Sequence, residues 1–453
     1  MRKVLIVSYY FPPSGGPGVQ RVLKFVKYLP QFGYKPVVLT VGDADFPAID
    51  ESLLNEIPND VRVVRTRIFE PYDAYRKLTG KKPGSAVDVE NIPSGGKKKA
   101  SGPMEKIADL VRSTFFIPDA RVGWLFTAVS AGMKIIEEEG IDAIYSSSPP
   151  YTASLIAKSL KKRSGKPWVM GLRDPWTGFI STPNRWFVPA AIDRYMERDS
   201  VERADAVEIA WEGIGKDLLG KYPGLDRNKI VYIPNGFDSE DYPAIERPRN
   251  ERMTITYTGS LYGRRNPRTL LDAVKSLTAS GKISRDKIRL VFAGRFGADV
   301  RAMLQEPEFD GIVEEKGYLP HEESIKLLLE SDLLVLIVDE SELSSEIVPG
   351  KVFEYIGSKR PIIAFAPQGA AAEIIRSTGA GAVVPPEDLS KAKEALGSFY
   401  VQFRERGSIG GDRNGQFAPR EEVIRNFERK EAARKLSTLF NKILEKDHGQ
   451  ANR

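Results

Sequence analysis

The sequence predicts an α/β protein of two doubly wound domains with a cleft between them, and three observations carry that prediction. Short apolar runs of strand length recur along the chain and alternate with helical stretches, the pattern of parallel sheets covered on both faces. The pattern breaks at residues 233–252 and then restarts. The 453 residues allow two or three domains on the usual scale of about 150 residues each, and two large α/β units fit as well as three small ones.

The chain opens as strand, loop and helix. KVLIVS is a continuous apolar strand, PPSGGPG a turn-rich loop, and VQRVLKFVKYLPQFG a helix with Val19, Val22, Leu23, Val26 and Leu29 on one face and Gly33 as its stop signal. Further strands are expected at KPVVLTV, VRVVRT (61–66), AIYS (143–146), PWVMGL (167–172), AVEIA (206–210) and KIVYIP (229–234). IPNGFDSEDYPAIERPRNER (233–252), rich in Pro, Asn, Asp and charge, reads as a domain linker. After it MTITYT, IRLVFA, LLVLIV, PIIAF and GAVVP are strands, with TLLDAVKSL, ESIKLLLES and KVFEYIGS as helices. The expected division is a first domain over 1–240 with a mobile insertion near 80–103, a second over 250–419, and a helical tail over 420–453 that packs back on the first domain.

Composition removes several kinds of chemistry. There is no cysteine, hence no disulfide framework, thiolate metal site or cysteine nucleophile. Only His321 and His448 carry imidazoles, too few for a His-rich metal centre. No apolar run nears the ~20 residues needed to span a bilayer, and no signal region precedes the first strand, so a cytoplasmic protein is expected. A net charge of +6 suits phosphorylated substrates or a lipid surface and gives no footprint for nucleic acid.

SSEIVPGKVFEYIGSKRPIIAF (344–365) carries the densest chemistry. A helix starting near Gly350 presents unpaired N–H groups and the positive end of its dipole, glycine lets a phosphate approach the backbone, and Lys351 adds a point charge. Glu354, one turn inside, suits a ribose diol, and Glu346 on the preceding loop can reach a sugar hydroxyl. Taken alone, the two glutamates fit equally a dipole-favoured helix acid and a surface loop acid.

At this point the chain resembles the retaining glycosyltransferases of family 4, the group 1 enzymes of the two-domain, Rossmann-like GT-B fold, over nearly its whole length. Glu346 and Glu354 match that family's glutamate pair separated by seven residues. IPNGFD, YTGSLYGRRNPRTLLDAV, FAGRFG, GYLPHEESIKLLLESDLLVL and SYYFPPSGGPGVQR are similar to further family segments, and YSSSPPYTASLIA and GLRDPW resemble a branch that makes cell-surface polysaccharides.

The resemblance implies a retaining hexosyltransferase of class EC 2.4 that moves a sugar from a nucleotide-diphosphate donor to a hydroxyl of a glycan or lipid-linked acceptor, with no metal or other cofactor. Glu354 would bind the donor ribose, Glu346 would stand beside the transferred sugar, and Arg264 and Arg265 would neutralise the leaving diphosphate. Gly350, Lys351 and Gly259, with Gly15 and Gly16 of the first loop, would line the donor. Asp174 of LRDPW, with Arg173, is a candidate for the histidine that relatives place in the first domain; an Arg–Asp pair that merely fixes a loop reads as well. A nucleotide-sugar 2-epimerase and a non-catalytic nucleotide-sugar or glycan-binding relative are the alternatives.

Asp43 and Asp45 fit a turn better than a metal pair, and His321 reads as a capping or surface residue. Lys97, Lys98 and Lys99 precede MEKIADLVRSTFFI, whose Ile107, Leu110, Val111 and Phe115 form an apolar stripe. Two expectations stand side by side: a flexible loop before a core-facing helix, or a peripheral contact with an anionic membrane at the inner face of the cell membrane.

Overall fold

A computed structural model describes residues 1–44, 46, 49–69, 110, 113–178, 182, 185–246, 249–261, 265–338, 348–409 and 417–451. They form two compact units. The first takes the chain up to Asn235 and again from Arg429, and the second takes Gly236–Glu428.

The first unit runs β1 (Arg2–Ser8), α1 (Pro17–Tyr28), β2 (Tyr34–Val41), β3 (Arg62–Thr66), α2 (Trp124–Glu139), β4 (Ala143–Ser148), α3 (Thr152–Ser164), β5 (Trp168–Leu172), α4 (Phe187–Arg203), β6 (Ala206–Ile209), α5 (Glu212–Lys221) and β7 (Ile230–Tyr232). Its sheet has the order β3-β2-β1-β4-β5-β6-β7, with parallel pairing throughout. Because β1 winds outward to β2 while β4 starts the other half, the winding reverses between β1 and β4. The stripe on α1 forms as its spacing requires: Val19, Val22, Leu23 and Val26 are all fully buried against β1 and β2. Each such side chain contributes about 1.5–3 kcal/mol on leaving water.

The second unit repeats the plan: β8 (Met253–Thr258), α6 (Arg268–Ala279), β9 (Ile288–Ala293), α7 (Ala298–Leu304), β10 (Val313–Gly317), α8 (His321–Glu330), β11 (Leu333–Ile337), α9 (Lys351–Gly357), β12 (Ile362–Phe365), α10 (Ala370–Thr378), β13 (Gly381–Val384), α11 (Leu389–Arg406) and α12 (Glu421–Ile424). Its parallel sheet has the order β10-β9-β8-β11-β12-β13, so the reversal falls between β8 and β11.

Three expectations change here. Most of the stretch read as a linker belongs to the second unit: Phe237 and Tyr242 pack against Tyr355 and Ile356, and the Tyr242 hydroxyl donates to the Glu354 carbonyl at 2.8 Å. The tail is not one helix from Arg420. Ile424 and Phe427 stay in the second unit's core, and only α13 (Arg429–Ala451) joins the first, where Leu436, Leu439, Phe440 and Ile443 are buried beside α1. The Phe237 N–H donates to the Phe427 carbonyl at 3.0 Å, so the outgoing and returning strands of chain run side by side. Finally, Phe115 does not face the core but is 72% exposed, and its neighbour Phe116 is buried instead. The insertion at 80–103, Lys97 to Lys99 included, lies outside the described residues.

The exit from the first unit is held by a buried charge. Arg21 of α1 is fully buried, and its guanidinium donates to Glu208, to the Ile233 carbonyl (2.7 Å), the Pro234 carbonyl (3.0 Å) and Asn235 Oδ1 (3.0 Å). Tyr145 donates to the other Glu208 oxygen at 2.9 Å.

Candidate functional site

In doubly wound sheets ligands sit outside the carboxyl ends of the strands where the winding reverses. In the second unit that place holds a pocket of about 110 Å³ lined by Thr258 and Gly259 at the end of β8, Ala293 and Gly294 at the end of β9, Tyr318, Leu319 and Ser324 beyond β10, and Lys351 and Glu354 of α9. The volume is well below the ~300–1,000 Å³ of a whole ligand site, so this is a niche for one part of a larger molecule.

The local sequence explains how α9 presents these groups. Val352, Phe353, Tyr355 and Ile356 are buried, which leaves Lys351 and Glu354 on the face toward the niche. The buried Tyr355 hydroxyl accepts from the Thr258 N–H at 3.0 Å and lies 3.2 Å from Thr258 Oγ1, joining α9 to the end of β8. Burial pushes the Tyr355 phenol up to about 12, so it stays neutral.

Lys351 donates to the Tyr257 hydroxyl at 3.2 Å and stands 4.7 Å from that ring's centroid. Gly259 has φ +110°, and a Cβ there would overlap the Lys351 ammonium, so glycine is needed for both the turn and the approach. Burial, with Arg265 nearby, lowers the Lys351 ammonium to about 8, while Glu354 pulls it the other way.

The sequence-derived residues are thus partly brought together. Gly259, Lys351 and Glu354 border one niche, and Arg265 is close enough to act on Lys351. Gly350 caps α9 with ordinary helical torsions (φ −54°, ψ −31°), so its conformation does not require glycine, and α9 has only seven residues. Glu346 and Arg264 lie outside the described residues, as does Asp45. Asp43 accepts from the Ile68 N–H at 3.3 Å, a contact 25 residues apart that links the chain after β2 to the chain after β3 and is not a turn. His321 begins α8 and lies 3.7 Å from Asp241. The sequence reading missed Gly294 and Tyr318 as parts of the niche and Tyr257 as the ring behind Lys351; all three sit inside quoted segments, at strand ends, where their type alone gave no signal.

In the first unit Gly15 and Gly16 follow β1, and the exposed Gly16 (φ +99°) caps α1. Arg173, at the end of β5, donates to the Gly18 carbonyl at 2.7 Å and to the Pro149 carbonyl. It therefore ties β5 to the start of α1 without Asp174. Burial raises the Asp174 carboxyl, with Arg173 opposing, and among the described residues its carboxylate receives no hydrogen bond.

A larger hollow of about 270 Å³, lined by Asn250, Thr254, Arg289, Lys316 and Glu330 among others, is not at a reversal point. Its cations are taken up: Arg289 and Lys316 both pair with Glu314.

Two doubly wound α/β units in one chain define the GT-B fold class. Residues 252–400 match the family model described as glycosyl transferases group 1, and residues 92–241 match the one described as Glycosyltransferase Family 4. Both matched models describe glycosyltransferases, and each covers about a third of the chain. None of the curated proteins matches it in sequence. Among solved structures it is similar in fold to HepE of Anabaena in complex with UDP (14% identity, 97% of this chain and 100% of that one, TM-score 0.60). It is likewise similar to sucrose-phosphate synthase of Thermosynechococcus elongatus (14%, 98% and 100%, TM-score 0.59) and to the lipopolysaccharide outer core galactosyltransferase WaaB (12%, 97% and 99%, TM-score 0.55). Among the described residues no helix is long and apolar enough to cross a membrane.

Proposed function

We propose that this glycosyltransferase moves a hexosyl group from a nucleotide-diphosphate sugar to an acceptor hydroxyl with retention of configuration, in the cytoplasm, during assembly of a cell-surface polysaccharide or glycolipid. The observation that carries the donor reading is the placement of Lys351 and Glu354 on one niche at the β8/β11 reversal. There Glu354 accepts hydrogen bonds from the ribose diol, and Lys351, assisted by Arg265, faces the diphosphate. Cleaving the sugar–phosphate bond loads negative charge onto the departing diphosphate, so a fixed ammonium stabilises the transition state more than the ground state. Partial burial strengthens that effect. The departing phosphate can itself accept the acceptor's proton, so the reading needs no side-chain base.

Glu346 beside the transferred sugar, Arg264 on the diphosphate, Gly15 and Gly16 at the donor, and Asp174 as a sugar contact belong to the same proposal on the strength of the resemblance. The HepE structures contain UDP, and one contains glucose as well, which makes uridine nucleotides the first to try here.

The test is donor turnover without acceptor, across UDP-, GDP- and ADP-sugars. Slow release of nucleotide and free sugar supports a transferase, interconversion of two nucleotide sugars supports the 2-epimerase, and binding without turnover supports the non-catalytic relative. The anomeric signal of the transferred sugar in proton NMR then decides retention.

A further inference from the structure

The hollow of about 270 Å³ is more than twice the size of the donor niche and close to the lower bound of ~300–1,000 Å³ for small-molecule sites. Both open on one face of the second unit's sheet. Arg289, Val291 and Ala293 alternate along β9 and so point the same way; the first two line the hollow and the third lines the niche. Helix α8 borders both, with Ser324 at the niche and Leu327 and Glu330 at the hollow. Between them Val291, Ala293, Leu319 and Leu327 pack together as a small cluster of their own. The hollow is therefore a separate cavity, and none of its lining residues lines the niche.

Its polar groups are sorted by sign. The sheet contributes Arg289 and Lys316, which share the single carboxylate of Glu314, Arg289 through Nε at 2.9 Å and through Nη2, and Lys316 at 2.9 Å. Two cations on one acid leave a positive charge in excess, and all three side chains keep 34–39% of their surface open to solvent. The segments lying over the sheet contribute Glu246 and Glu330, and among the described residues neither carboxylate has an ion-pair partner. Helix α8 ends on Glu330 with no basic residue in its last turn, so this charge sits where the helix dipole disfavours it. Asn250 joins the acids as an acceptor, because both hydrogens of its amide are spent, on the Glu330 carbonyl (3.0 Å) and on Asp332 (2.9 Å). One side of the hollow thus donates and the other accepts, over the buried Val291 and Leu327.

We propose that this hollow is a second ligand site, taking a small molecule that carries both an ammonium and a phosphate or carboxylate. The anion lies against Arg289 and Lys316, and the ammonium against Glu330 and Glu246. A neutral sugar would leave both sets of charges without a partner, and a bare phosphate would bring a like charge toward two carboxylates. An amino-sugar phosphate and an amino acid each offer the required pair of charges at a size this cavity admits, and the ring hydroxyls of the former also supply donors for Asn250. The site uses no residue of the donor niche, so it stands or falls separately from the donor reading.

The test is calorimetric titration into the full-length protein near neutral pH. Glucosamine 6-phosphate is expected to bind about tenfold or more tightly than glucose 6-phosphate, which lacks the ammonium, and than glucosamine, which lacks the anion. Leucine supplies the amino-acid arm, and the tighter of leucine and glucosamine 6-phosphate names the source of the ligand. Glu330→Gln removes most of the advantage over glucose 6-phosphate, and Arg289→Gln or Lys316→Gln weakens both sugar phosphates about fivefold. Either of the last two leaves Glu314 one cation, and thermal melts check that the variants fold. Saturating UDP and the niche variant Glu354→Gln both leave the affinity for glucosamine 6-phosphate as it was. The proposal is overturned if neither glucosamine 6-phosphate nor leucine binds, if the three sugars bind alike, if Glu330→Gln and Lys316→Gln behave as wild type, or if UDP or Glu354→Gln abolishes binding.

Discussion

The ammonium of Lys351 stands in the space that a side chain on Gly259 would occupy. Two residues 92 positions apart therefore share one volume. Gly259→Ala displaces the ammonium and strains a backbone at φ +110°, at a cost of about 1–3 kcal/mol in stability. Calorimetric titration of nucleotide is expected to show at least a tenfold loss of affinity with the fold retained. Unchanged affinity would mean that Lys351 does not face the diphosphate.

The lowered Lys351 value has two consequences of opposite sign. Unfolded lysine titrates near 10.5 and folded Lys351 near 8, so between those values the unfolded chain holds more protons and stability rises with pH. Below 8 both states are protonated, and the folded state bears a half-desolvated charge. On the proposed donor reading binding needs that charge, so affinity is expected to fall as pH rises through about 8, approaching tenfold per unit beyond it. Urea titrations and nucleotide titrations over the same pH range are expected to slope oppositely, and binding near pH 8 is expected to take up protons in paired buffers of different ionisation enthalpy.

Glu354→Gln keeps the shape of the site and removes charge-assisted hydrogen bonds worth about 1.5–3 kcal/mol. Nucleotide affinity is expected to drop about tenfold or more, while the Tyr242 contact, made to the backbone, keeps α9 in place. Because Glu354 also supports the Lys351 proton, the loss is expected to be larger near pH 8 than well below it. Glu346→Gln is expected to spare nucleotide binding and lower turnover on the sugar donor, a separation seen by measuring both.

Breaking the buried Arg21–Glu208 pair from one side strands a charge. Glu208→Leu is expected to cost about 3–5 kcal/mol in urea unfolding, and Arg21→Met with Glu208→Leu together to recover much of it. Arg21 also holds the carbonyls of Ile233 and Pro234, so the double variant is not expected to recover fully.

Transfer is expected to persist in EDTA, since the proposal gives the diphosphate to Lys351 and Arg265. Activity lost to the chelator and restored by magnesium or manganese would show otherwise.

The strands and the α1 stripe were legible because burial on both faces leaves an unbroken apolar run, as in β1, and a helix packed on one side repeats at three and four residues. The edge strand β10, with Glu314, Glu315 and Lys316 among its five residues, carries neither signature. Arg21 and Lys24 look in the sequence like the solvated side of α1, yet both are buried; only partners distant in sequence, Glu208 and Glu56, make that tolerable. In the niche, Lys351 and Glu354 were readable from a motif, whereas Tyr318, which lines it, and Tyr257, which holds Lys351, are ordinary strand-end aromatics until the winding brings their ends together.

The side-by-side run of Phe237 and Phe427 has a bearing on synthesis. The second unit is a continuous insert between two parts of the first, so all of its residues have been made once Glu428 is added. The first unit, although its strands are made earliest, leaves Val22, Val26 and Tyr34 without Leu436, Phe440 and Ile443 until the last helix appears. The usual N-to-C order of domain completion is therefore reversed in the chain: the later-encoded unit has all its residues before the earlier one does. A stop codon at the start of α13 spares the insert and leaves the frame that carries it open.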